Sequence, residues 1–185
     1  MIQTTQTTHQ LPRTMAEFAD WEPNDGYKYE WNDGELIKML KMNKTHLILI
    51  RKLIRLFNKT NDSQKGGLLI QEQDVRLTGI QIRRPDLAFF SAKQIDDSIK
   101  DEDPIPEFVI EVISTNDQII PVKNKLNEYF KGGVRVVWLI FMDEQAVEIY
   151  TSRRNVKICL EDDICSASPV LPDFEISVAD IFVAD

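Results

Sequence analysis

Cysteine and histidine are scarce in this chain, and their scarcity removes several chemistries at once. Only two cysteines, Cys159 and Cys165, occur among 185 residues. They lack CxxC spacing, so neither a disulfide framework nor a cysteine metal cluster is indicated, and a reduced intracellular protein is expected. The two histidines, His9 and His46, lie far apart, which argues against a histidine-based zinc site. No apolar run approaches the ~20 residues of a spanning helix. Met1 to Gln6 has neither the basic region nor the apolar region of a signal peptide. A cytoplasmic protein with no membrane association is the expectation. A basic surplus is missing too. The net charge of -8 argues against a general nucleic-acid coat, because non-specific binding is mostly a Lys/Arg effect. A local basic groove stays open: Arg51, Lys52, Arg55 and Lys59 cluster on one segment, and Arg83, Arg84, Lys123 and Lys125 on others, while much acid lies in Asp96, Asp97, Asp101, Glu102 and Asp103.

What is present suits one globular domain. The length, with 43% hydrophobic and 28% charged residues, is enough for a real core. Residues 1–13, polar and Thr/Gln-rich at the start, read as a flexible tail, and 14–185 as the domain. Thr14 and Glu17 have capping-box spacing and start a short helix ending near Trp21. Tyr27–Trp31 and Glu35–Leu40 flank Asn32-Asp33-Gly34, a hairpin turn. From Thr45 to Lys59, Leu47, Ile50, Leu53, Ile54 and Phe57 recur at helical spacing opposite a mostly basic side. That basic side is more often solvated than bound to DNA, and His46 reads equally as cap, core-edge group or site residue. Asn61–Gly67 reads as a loop. Leu68–Leu77 reads as a strand pairing with Asp86–Phe90 across Thr78-Gly79. Residues 91–106 form a surface insertion with a helical turn from Ser91. Phe108–Ile113 is almost continuously apolar, as a central strand should be. A helix runs from Pro121 to Gly132-Gly133. Val134–Phe141, Val147–Tyr150 and Asn155–Leu160 are strands, Pro169–Pro172 a break, and Val178–Phe182 a last helical turn. This order implies a mixed α/β (α+β) sheet flanked by helices.

Two acids stand out. Asp86 opens the apolar run Leu87 to Phe90, and Glu111 is embedded in Phe108 to Ile113. An unpaired charge buried there would cost several kcal/mol, so each requires a cation. Taken singly, either acid could be a turn residue, face solvent from an edge strand, or pair with Arg83 or Arg84. Together with Pro85 and Lys125 they point to a divalent metal held between two strand-borne carboxylates with a lysine nearby. Lys125 lies on the border of the stripe formed by Val122, Leu126, Tyr129 and Phe130, where its stem can lie on the sheet and its ammonium reach the strand ends. Lys123 falls on the opposite border.

These words in order resemble the PD-(D/E)XK nuclease superfamily, and within it the Uma-type branch of restriction-endonuclease-like proteins. The resemblance rests on Trp31-Asn32-Asp33-Gly34-Glu35-Leu36, Arg84-Pro85-Asp86-Leu87-Ala88-Phe89, Val109-Ile110-Glu111-Val112-Ile113-Ser114, and Lys125-Leu126-Asn127-Glu128-Tyr129-Phe130-Lys131-Gly132-Gly133-Val134 followed by Trp138-Leu139. It spans roughly residues 14 to 182. It implies a Mg²⁺-dependent endonuclease (Mn²⁺ substituting) that cleaves DNA. Asp86, Glu111 and the Val112 carbonyl would hold the ion, Lys125 would orient the attacking water or offset charge on the transition state, and Glu35, beside the hairpin turn, would be an outer ligand. A homodimer is expected, since cutting two strands calls for two sites. One departure matters: the superfamily's usual lysine, two positions after the glutamate, is Ile113 here, and Lys125 on the next helix matches a displaced lysine. Two rivals stand beside this reading. One is a non-catalytic DNA- or protein-binding module, favoured by Ile113 and the acidic charge. The other is a hydrolase of small phosphoesters.

Overall fold

The computed structural model describes residues 11–39, 44–100, 103–114 and 119–183. The expected N-terminal tail therefore falls almost wholly outside the described residues, as do Leu40, Asp101 and Glu102. Helix α1 (Met15–Ala19) is capped by Thr14, whose hydroxyl accepts from the Glu17 amide. The Glu17 carboxylate takes the Arg13 amide instead of the cap's own, and the helix stops two residues short of Trp21. Strands β1 (Lys28–Asn32) and β2 (Glu35–Met39) form the expected hairpin. Asp33 and Gly34 both have positive φ (47° and 87°), the two-residue turn that matches strand twist. Helix α2 (Lys44–Phe57) follows.

Two expectations fail in the next stretch. Asn61–Gln64 is not loop but a single helical turn, α3, capped by the Thr60 hydroxyl. The segment Leu68–Leu77 is not one strand. It divides into β3 (Leu68–Gln71) and β4 (Val75–Thr78), with Glu72 at φ 52° between them. The chain thereby leaves one sheet and enters another: β3 pairs with β6 (Leu87–Phe90), whereas β4 turns at Gly79 and pairs with β5 (Gln81–Arg83). Helix α4 (Ala92–Ser98) begins at Ser91 with a capping box. Beyond it come β7 (Phe108–Ile113), helix α5 (Ile119–Gly132), β8 (Val136–Phe141), β9 (Ala146–Ser152) and β10 (Asn155–Cys159). The stretch around Pro169 is a hairpin turn, not merely a break. It joins β11 (Ile164–Ala167) to β12 (Leu171–Ser177), after which α6 (Val178–Phe182) closes the described chain.

The six-stranded sheet has the order β10-β9-β8-β7-β6-β3. Its one parallel pair, β7 with β8, is joined through α5, and the other pairs are antiparallel. Alternation of side chains gives the sheet two buried faces. One, with Phe108, Ile110, Trp138 and Ile140, packs against α2, the β11-β12 hairpin and α6. The other, with Ala88, Phe90, Val109, Val137 and Leu139, packs against Leu126 and Tyr129 of α5. A four-stranded sheet, β2-β1-β5-β4, completes this second side, because Val75 and Leu77 of β4 join the α5 cluster. Its opposite face carries Tyr29, Trp31 and Ile82 against Phe18 of α1. Gly132 seats α5 on β4: a Cβ there would lie 2.9 Å from Leu77 Cδ2 and 3.1 Å from the Leu77 carbonyl.

Candidate active site

The register of the β6-β7 pair fixes where the two acids meet. Leu87 lies opposite Ile110 and Ala88 opposite Val109, so one further step along both strands brings Asp86 beside Glu111. Parity puts them on one face. Ala88 and Phe90 share the α5 side with Val109, and Asp86 and Glu111 follow by steps of two. Both are buried, at 7% and 6% exposure, as is Lys125 at 9%. The helix border position carries the Lys125 ammonium to 2.8 Å from Glu111 Oε1. Lys123 is exposed, so of the two lysines only Lys125 reaches the acids.

The four-stranded sheet supplies the rest. Because Tyr29 and Trp31 face α1, Lys28 and Glu30 face the other way, into the site. Lys28 Nζ lies 3.0 Å from Asp86 Oδ1 and 4.0 Å from Glu72 Oε1. Glu30, 1% exposed, accepts from Lys125 Nζ at 2.8 Å, Arg83 Nη1 at 3.0 Å and the Arg84 amide at 2.9 Å. Arg83 also donates to Glu128 at 2.7 Å. Tyr129 donates its hydroxyl to Glu111 Oε1, and the Val112 amide donates to Asp86 Oδ2 at 2.7 Å.

The alternative in which Arg83 or Arg84 pairs with either acid is therefore not what the structure shows. Arg83 serves Glu30 and Glu128, Arg84 serves Asp74, and lysines stand on Asp86 and Glu111. Glu35 is exposed beside Asn32 at the turn of the β1-β2 hairpin, and the structure does not bring it to this group. Glu30, elsewhere on the same hairpin, meets Lys125 alongside Glu111. Val112 enters through its amide, which orients Asp86. The basic residues of α2 lie elsewhere, since α2 covers the opposite face of the sheet. Lys52 is not on a solvated face at all; it is buried, donating to the Val183 carbonyl at 2.6 Å.

Electrostatics within the group follow from burial and pairing. Burial alone would favour a neutral Lys125, but Glu111 and Glu30 outweigh it and raise its pKa above the usual lysine value, so the ammonium stays charged. Burial also pushes Glu30 up, yet Lys125 and Arg83 more than reverse this and hold it below the ordinary carboxylate range. Glu111 moves the other way. Its burial, aided by repulsion from Asp86, exceeds the pull of Lys125 and Lys28 and raises its pKa. Four carboxylates (Glu30, Asp86, Glu111, Glu128) face three cations (Lys28, Arg83, Lys125), an excess of negative charge in a mostly buried space.

Asp86 and Glu111 are hard anionic oxygen donors, the class Mg²⁺ prefers. Among the described residues no three His, Cys, Asp or Glu side chains form a group that could hold a metal ion, so the protein's share would be these two carboxylates, and the ion would keep several waters.

The chain is thus a mixed sheet with helices on both faces and two acids side by side on adjacent strands. The family described as "Putative restriction endonuclease" (Uma2) matches residues 15–179, and the chain belongs to that family. Among solved structures, the chain is similar to a putative nuclease belonging to DUF820 from Anabaena variabilis. The two share 21% identity with a TM-score of 0.80, over 92% of this chain and 98% of the other, which establishes the shared fold. No curated protein matches the sequence. Among the described residues no helix is long and apolar enough to cross a membrane.

Proposed function

We propose that this chain is a Mg²⁺-dependent endonuclease that hydrolyses DNA phosphodiester bonds, acting as a homodimer of one-domain subunits. The observation that carries the reading is the meeting of Asp86, Glu111 and Lys125, drawn from two strands and a helix, in one buried group. Asp86 and Glu111 would hold the ion, with the Val112 carbonyl as a further oxygen donor. Bound there, Mg²⁺ would polarise the scissile phosphate and lower the pKa of a water. The remaining work belongs to the protein's own groups. The Val112 amide and the Tyr129 hydroxyl fix the two carboxylates in orientation. Glu30 and Glu111 keep Lys125 charged and in place, ready to donate to oxygens that gain charge in the transition state. Arg83, braced by Glu128, holds Glu30 from behind. A two-fold dimer would present two such sites to the two strands of a duplex.

The test is cleavage of circular duplex DNA with Mg²⁺, or with Mn²⁺ in its place, alongside Mn²⁺ binding measured by calorimetry. The parent should cut and bind; Asp86→Asn and Glu111→Gln should lose both. Light scattering should give twice the subunit mass. A second reading, a non-catalytic binding module, has one observation in its favour: a lysine already stands on each of the two acids, Lys28 on Asp86 and Lys125 on Glu111. Metal binding without cleavage of any nucleic acid would select it.

A further inference from the structure

Lys28 belongs to none of the roles given above, yet it occupies the oxygen that matters most. The two oxygens of Asp86 are engaged differently. Oδ2 accepts from the Val112 amide, a backbone group that cannot leave without opening the strand, while Oδ1 is covered by the Lys28 ammonium at 3.0 Å. Among the described residues the contacts of Glu111 fall on Oε1. A cation arriving between the two acids therefore meets Lys28 at Asp86 Oδ1.

Lys28 also has somewhere to go. Glu72 Oε1 is 4.0 Å from its ammonium, and the Glu72 side chain is 37% exposed, against 6% for Lys28. Glu72 is held beside Asp86 by its backbone, since its amide donates to the Asp86 carbonyl at 3.3 Å. It sits there at φ 52°, an uncommon conformation for a residue other than glycine, asparagine or aspartate. Because the β3-β4 break keeps it next to the site, its carboxylate is within reach of Lys28 whatever occupies Asp86. A lysine has a flexible four-carbon stem and a compact point charge, so a shift of this size needs no backbone movement.

We propose that Lys28 is a built-in counter-ion for the metal site: it neutralises Asp86 until a divalent cation displaces it, and Glu72 receives it. This rests on the metal-binding reading of Asp86 and Glu111. It implies that part of the ion's binding energy is spent moving Lys28, so affinity is set by Lys28 and Glu72 as well as by the ligands. It also reconciles a charge-paired interior with a site that opens to metal.

The experiment is a double-mutant cycle on the whole protein, with Mn²⁺ as the probe. Calorimetry gives affinity, and the Mn²⁺-induced rise in Tm gives a second reading that requires no catalysis. Lys28→Met keeps the stem and removes the charge; it should bind Mn²⁺ about tenfold or more tightly and show a larger Tm rise, even though its metal-free form melts lower. Glu72→Gln should bind more weakly than the parent. In the Lys28→Met background Glu72→Gln should have little further effect, because its role passes through Lys28. Unchanged affinity in Lys28→Met, or an equal loss from Glu72→Gln in both backgrounds, overturns the proposal, the latter making Glu72 a direct contributor to the ion's field. If the parent binds Mn²⁺ and Asp86→Asn does not, the metal site survives that failure. If neither the parent nor Lys28→Met binds, the metal reading and this inference fall together.

Discussion

Glu30 should be the most costly single residue of the site to remove, although it is neither of the two carboxylates proposed to hold the ion. It is 1% exposed and accepts three hydrogen bonds, from Lys125 at 2.8 Å, Arg83 at 3.0 Å and the Arg84 amide at 2.9 Å. Breaking a buried ion pair by removing one partner typically costs ~3–5 kcal/mol, because the other charge is left uncompensated. Two features pull in opposite directions here. Lys125 keeps Glu111 and Arg83 keeps Glu128, which limits the loss. The Arg84 amide gains no substitute, which adds about 1–3 kcal/mol if it stays dry. For Glu30→Ala we expect a loss of about 3–5 kcal/mol. Glu30→Gln keeps an oxygen for the Arg84 amide and a neutral acceptor for a cation, so about 1–3 kcal/mol is expected. Urea unfolding at neutral pH measures both, with m unchanged if the denatured state is unaffected. A cost below about 1 kcal/mol for Glu30→Ala, or equal costs for the two variants, would show that the network contributes far less than its geometry implies.

Lys125→Ala should lower Mg²⁺-dependent cleavage by on the order of 10²–10³ without weakening Mn²⁺ binding, and Lys123→Ala should change neither; nicking assays with calorimetry decide. Acid titration of stability should reveal Glu30. Its pKa is held below its ordinary 4.5, so its contribution is full above that value and disappears as pH falls through the lowered one. Urea midpoints measured below pH 4.5 should therefore fall more steeply for the parent than for Glu30→Gln. Gly132→Ala should cost about 1–3 kcal/mol by overpacking, because the new Cβ would meet Leu77 Cβ at 3.0 Å and its carbonyl oxygen at 3.1 Å. Thermal melts check this, and a melting point equal to the parent's would show that α5 has slack against β4.

What could be read from the sequence, and what could not, follows from how each residue sits in its pattern. Asp86 and Glu111 were visible because a charge interrupts an apolar run, and a run apolar on both faces leaves no solvated side to absorb it. Glu30 and Lys28 were not visible for the opposite reason. In Lys28-Tyr29-Glu30-Trp31 the charges alternate with aromatics, the pattern of an ordinary hairpin with one wet face. Only the second sheet folding over the site makes that face an interior one. The available signal was weak: a glutamate between two large aromatics on the strand before the turn. The division of β3 from β4 at Glu72 is marked only by the polar run Gln71-Glu72-Gln73-Asp74, since neither glycine nor proline stands there. The β11-β12 hairpin was hidden behind Pro169 and Pro172, yet in a two-stranded sheet both strands are edges, where a proline need not interrupt the ladder. Pro172 is exposed within β12. The α3 turn carries no apolar period, being one turn long, and owes its start to the Thr60 cap.

The place from which a lysine reaches the acids has a structural reason as well. Ile113, two residues after Glu111 on the same strand, points to the same face, so a lysine there would lie under α5. Instead Ile113 is half-buried and packs in the cluster that includes Leu126, Tyr129 and Val122. It thus helps seat the helix whose border residue is Lys125. The ammonium reaches Glu111 at 2.8 Å and Glu30 at 2.8 Å, so the positive charge arrives at the acids from the helix that covers the sheet. One consequence separates the two residues. Restoring a lysine at position 113 in a Lys125→Ala background should not rescue the site, because a charge placed beneath α5 disturbs the packing that holds Tyr129 on Glu111. Ile113→Val, which keeps the apolar contact, should cost only ~0.5–1.5 kcal/mol and leave Mn²⁺ affinity unchanged. Recovery of cleavage by Ile113→Lys/Lys125→Ala would instead mean that the site reads the position of the charge alone, and that the helix contributes nothing beyond delivering it.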